Sequence, residues 1–164
     1  RLGCRMPLLT VADLDARTVA ESVILAGIKT ELSAFMVMKD GPPNTRADFS
    51  NNPATVGAAM YLPGGDEDTI TPIRDLLQMR IYFDLFCGGS SVDYGVRQKR
   101  GLALKDFICE KICTQTIRTV VGNGSVNTVA FDGYNVHGDS QTGDLLMDGR
   151  LSIIITYRVN PTSR

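Results

Sequence analysis

Leu77-Gln78-Met79-Arg80-Ile81-Tyr82-Phe83-Asp84-Leu85-Phe86-Cys87 is the stretch on which the fold turns. Met79, Ile81, Phe83, Leu85 and Cys87 alternate with Gln78, Arg80, Tyr82, Asp84 and Phe86. Successive side chains of an extended strand point to opposite faces, so this pattern predicts one core face and one partly wet face. Residues 151–159 repeat it near the end of the chain. There Leu151, Ile153, Ile155, Tyr157 and Val159 alternate with Ser152, Ile154, Thr156 and Arg158.

Working outward, Thr18-Val19-Ala20-Glu21 fits a capping box, in which the hydroxyl and the carboxylate satisfy backbone donors reciprocally. Val19, Val23, Ala26, Ile28 and Leu32 then approximate one helix face as far as Ser33. Residues 34–39 read as a strand closed by the turn signal Asp40-Gly41-Pro42-Pro43, and residues 54–62 as a second ended by Pro63-Gly64-Gly65. Residues 98–116 are predicted helical, with Leu102, Phe107, Ile108, Cys109 and Ile112 broadly on one side. Residues 117–121 and 126–131 look like strands flanking the turn sequence Gly122-Asn123-Gly124. Residues 132–149, rich in Gly and Asp, suggest a long loop or ragged hairpin. Runs of strands separated by only two helices imply an α+β fold, with an antiparallel or mixed β-sheet packed against two main helices. Residues 1–17 read as an N-terminal extension and residues 18–164 as a single α+β domain.

The composition fits that expectation. The chain has 164 residues, 43% hydrophobic and 21% charged. A folded surface of about 8,000 Å² against about 26,000 Å² unfolded leaves room for a real core. No apolar run approaches the ~20 residues that span a bilayer, so no membrane segment is expected. The formal net charge of −1 lacks the basic excess of proteins that live by neutralising phosphates. Twelve Arg against five Lys tilts towards protein contacts, where the guanidinium's directional pairing is favoured. Cys4, Cys87, Cys109 and Cys113 form no Cys-x-x-Cys pair, and free thiols in a reducing cytoplasm are expected.

The search for chemistry finds bland readings beside each sharp one. Cys109 and Cys113 stand four apart on a predicted helix and with His137 could hold zinc; both also suit simple packing beside Phe107 and Ile112. Asp132, Asp139, Asp144 and Asp148 invite a calcium reading but miss the ligand spacing of a calcium loop, and turn formation explains them. His137 is the one histidine, and no serine sits in a Gly-x-Ser-x-Gly elbow. Gly88-Gly89-Ser90-Ser91 and Gly122-Asn123-Gly124-Ser125 both lack the Gly-Lys-Ser/Thr of a phosphate loop. The basic group Arg97, Lys99 and Arg100 falls at a predicted helix start, as a solvated flank or as a contact to an acidic neighbouring subunit. No catalytic residue, cofactor site or metal site is therefore expected, and the chain does not read as an enzyme.

The element order, together with Met79-Arg80-Ile81-Tyr82-Phe83-Asp84-Leu85-Phe86 and Ser152-Ile153-Ile154-Ile155-Thr156-Tyr157-Arg158, resembles the lambda-type tail terminator (tail completion) family of long-tailed bacteriophages. The likeness spans about residues 18–159. In that family a loop-rich segment also precedes a final strand ending in a similar Ile-Thr-Tyr run. Residues 1–17 and the longer loops at 44–53 and 132–149 depart from the pattern. The resemblance implies a structural virion protein assembled in the host cytoplasm. It would form a hexameric homo-oligomer on the head-proximal end of the tail tube, stop tube polymerisation and present the head-joining surface. Its implied partners are the tail tube protein and the head connector or stopper protein. DNA would pass through the ring without specific binding, and the acidic run Asp66-Glu67-Asp68 would line the lumen if it faces inwards; the alternative is a solvated turn. Two other readings stay open: a neck or head-completion connector, and a small metal- or thiol-dependent enzyme using His137, Cys109 and Cys113.

Overall fold

The computed structural model describes residue 8 and residues 10–41, 52–63, 76–89, 91–113, 126–136 and 147–158. The elements are α1 (Val11–Ser33), β1 (Val37–Asp40), β2 (Val56–Tyr61), β3 (Leu76–Cys87), α2 (Tyr94–Ile112), β4 (Val126–Val136) and β5 (Gly149–Arg158). They form the expected α+β arrangement, with one mixed sheet of five strands in the order β1-β2-β3-β5-β4. β1 runs parallel to β2, and every other pairing is antiparallel.

β3 and β5 hold the centre because each carries an unbroken apolar face. Met79, Ile81, Phe83, Leu85 and Cys87 lie beside Leu151, Ile153, Ile155 and Tyr157, all buried, in a register that sets Ile81 opposite Ile153 and Met79 opposite Ile155. Ile24, Ile28 and Leu32 of α1, with Leu104, Ile108 and Ile112 of α2, close the core over that face. Tyr157, fully buried, sends its hydroxyl to Glu21 Oε1 on α1. Arg17 Nε grips the same carboxylate oxygen at 3.0 Å.

That use of Glu21 corrects the capping-box reading. α1 begins at Val11, so Thr18 and Glu21 are mid-helix and residues 11–17 form its first two turns. Thr10 stands immediately before the helix and is of the type favoured at an N-cap. α2 is likewise displaced from the predicted 98–116. Asp93 caps it by accepting a hydrogen bond from Val96 N at 3.3 Å, and Cys113 ends it. The strand expected at 126–131 continues to Val136 and pairs with β5. The strand-like residues 117–121 lie outside the described residues.

Two glycines make the helix–sheet seams possible. Gly88, at φ +114°, follows β3, and a Cβ there would meet Pro53 O at 2.8 Å. Gly149 opens β5 under the Tyr134 ring, where a Cβ would overlap the phenol oxygen. The Tyr134 hydroxyl is buried with no hydrogen-bond partner among the described residues, and its burial pushes its pKa up to about 12.

Candidate functional site

The sheet face away from the helices carries the polar side chains of the central strands. Asp84 of β3 lies opposite Arg150 of β5 in the register, with Arg150 Nε 2.8 Å from Asp84 Oδ1. The Tyr61 hydroxyl donates to Asp84 Oδ2 at 2.9 Å from β2. Asp84 is fully buried, and an unpaired carboxylate there would be costly, so these donors are a condition of the fold. The Arg150 guanidinium lies over the Tyr82 ring at 5.0 Å and the Tyr61 ring at 5.8 Å. The two rings meet edge to face. Burial and the neighbouring carboxylate hold the Tyr61 phenol well above its usual range, and the hydrogen bond to Asp84 raises Arg150 further.

A second pair adjoins the first. Arg80 Nε meets Asp132 Oδ2 at 3.0 Å, and the Ser152 hydroxyl donates to the same oxygen at 2.6 Å. A register shift between Phe131 and Gly133 makes Asp132 the extra residue of a β-bulge. Bulges re-aim side chains, and this one delivers an edge-strand carboxylate to the central strands. Between the pairs lies a shallow depression of about 320 Å³, bordered also by Tyr82 and Asn135. Two arginines and two aspartates balance in charge, and each guanidinium is bonded to a carboxylate. Chemically this is a polar surface of paired charges. Ser152 and Asp132 share a proton bond, but no imidazole joins them among the described residues.

The sequence-predicted residues fall elsewhere. Arg97 points inwards, 6% exposed, with Nη1 at 3.6 Å from Asp148 Oδ1. Asp148 also accepts from Cys87 N at 2.8 Å, so this ion pair fastens α2 to the end of β3. Arg97 is therefore corrected from an exposed contact residue to a buried tie. Lys99 and Arg100 remain exposed, and Arg100 Nη1 donates to Pro53 O and Cys87 O at 3.3 and 3.4 Å. Cys109 and Cys113 are neighbours on α2. Their mutual hydrogen bond, then burial, hold the Cys109 thiol far above its ordinary range. No cluster of three or more potential metal ligands occurs among the described residues. Asp132 and Asp148 serve separate ion pairs and do not converge. Asp66, Glu67, Asp68, His137, Asp139 and Asp144 lie outside the described residues, as does Cys4.

The Asp84–Arg150 pair escaped the sequence reading, although a signal was present. An aspartate between Phe83 and Leu85 and followed by Phe86 sits too deep in an apolar strand to be merely wet, and required a partner.

The chain matches no protein-family profile and no curated protein sequence. No helix among the described residues is long and apolar enough to cross a membrane.

Proposed function

We propose that this chain is a structural subunit of a phage tail. In this reading a hexameric ring of identical copies caps the head-proximal end of the tail tube, stops its polymerisation and offers the surface to which the head connector joins. The observation that carries the reading is apolar surface left over by a core already closed. Val11, Leu14, Val19 and Val23 on α1, together with Phe35 and Phe131, stay 43–73% exposed. Scattered apolar residues are ordinary on any surface, but Val19 and Val23 lie one turn apart on the side of α1 opposite Ile28, and that supports an interaction surface there. The charge-balanced sheet face, whose two guanidinium groups are each bonded to a carboxylate, supports a part that is assembled rather than one that turns over substrate. The net charge of −1 supports passage of DNA without specific binding.

Sedimentation of the purified chain, alone and with tail tube protein, tests this. A species near six times 17.8 kDa that halts tube growth is the expected result. Binding to a portal-type connector with no effect on tube length would move the chain to the neck. A monomer under all conditions, inert towards both, would overturn the proposal.

A further inference from the structure

We infer that the N-terminal half of α1 is a docking surface for a second copy of this chain, seated on the start of that copy's α2. The inference rests on the ring reading above and specifies its contact.

α1 contains 23 residues, yet among its described side chains the first fully buried one is Ile24, preceded only by Ala20 and Glu21 as contacts to the core and to Tyr157. Ile24, Ile28 and Leu32 face the core. At about 100° per residue, Val19 and Val23 fall on the side opposite Ile28. A lone surface helix should be polar there. Instead Val19 and Val23 are exposed at 60% and 43%. The turns before Ala20 gain little from their own sheet, and most helical stability in proteins comes from packing, so a neighbour laid against this side would stabilise them.

Charge selects the occupant. Among the described side chains of these turns, Arg17 is paired with Glu21, which leaves the exposed Asp15 as the charge beside Val19. The start of α2 is its complement. Arg97 is turned inwards to Asp148 and Arg100 Nη1 is bonded to Pro53 O and Cys87 O, while Lys99 faces solvent. Val96 and Leu102, each 43% exposed, supply apolar area beside it. The carboxylate of Asp93 already caps the start of α2, so Lys99 in the second turn is the cation that would meet Asp15. A contact between α1 of one copy and α2 of the next is heterologous, because the two surfaces differ. Each copy keeps one of them free for a further neighbour, which is the geometry that closes into rings.

The test is sedimentation velocity on the full chain for the parent, Asp15→Lys, Lys99→Glu, the Asp15→Lys/Lys99→Glu double variant and Val19→Asp. Each single charge reversal should weaken association roughly tenfold, because it places like charges across the contact. The double variant should recover it, and Val19→Asp should abolish it. All these side chains are exposed in the single copy, so far-UV dichroism and melting of the dissociated variants should match the parent. A parent ring whose mass is unmoved by every substitution would overturn this contact and leave the ring reading standing. Dimers or open filaments that respond to the swap would support the contact and overturn the ring. A parent that never associates would overturn both.

Discussion

The two faces of the sheet are made by the same strands and live by different physics. On the helix side Ile81, Ile153 and Ile155 meet only apolar neighbours, and stability there scales with the area removed from water. On the other side Asp84 and Arg150 hold each other across β3 and β5, with Tyr61 completing the carboxylate's bonds. The first face tolerates exchange among apolar side chains of similar volume. The second depends on partners, because removing one member strands the other. The difference locates where this chain can vary and where it is specified.

The sharpest way to break the comparison is to put a charge on the apolar face. Ile155→Asp is expected to cost several kcal/mol, on the order of the whole margin of a small domain. Chemical denaturation would show this as loss of the folded baseline, and a parent-like midpoint would mean the assigned core face is wrong.

Next in size is the polar face itself. Asp84→Ala should cost about 2–3 kcal/mol, less than a wholly buried pair because Arg150 keeps partial access to water. Replacing both partners, as Asp84→Leu with Arg150→Leu, should cost less than the two single changes added together. Denaturation midpoints of the single and double variants check this. A fully additive result would show that the pair does not act as a unit.

The tyrosines tie both faces to pH. Tyr61 on one side and Tyr157 on the other, with Tyr134 at the helix seam, all ionise above the ordinary 10.0 in the folded chain. Burial is the first cause for each. The unfolded chain therefore loses these protons first as pH rises, so their contribution is complete below pH 10.0 and is lost progressively above it. Thermal melts across this range should show a falling midpoint. Tyr157→Phe and Tyr61→Phe should each flatten the slope, and a slope unchanged by either substitution would refute the assignment.

The smallest effect belongs to the edge of the polar face. Arg80 and Asp132 keep about a quarter of their side-chain surfaces in water, so Asp132→Asn should change stability by no more than about 1 kcal/mol. Denaturation at low and high salt checks it. A loss as large as that of Asp84→Ala would mean that the bulge, rather than the register of the central strands, organises this surface.

Local periodicity was legible in the residues, and it was enough to find the two helices and five strands among the described residues. The alternation in Met79–Cys87 and Leu151–Tyr157 marks both central strands and the side each turns to the core, because side-chain direction in a strand depends only on position along it. Helix ends were less legible. Thr18 with Glu21 reads locally as a start, yet α1 begins at Val11 and Glu21 is bonded instead to Tyr157, 136 residues away.

The sequence by itself determined the α+β class, the apolar faces of β3 and β5, and the absence of a nucleophile elbow or phosphate loop around its Ser and Gly residues. Only the tertiary structure decided that β5 lies between β3 and β4, that Arg97 turns inwards while Lys99 stays out, and that Asp84 finds Arg150 across 66 residues. Propensity and periodicity are set by neighbours a few residues apart. Strand order and charge pairing are set by which surfaces exclude water together, and that is a property of the whole chain once folded.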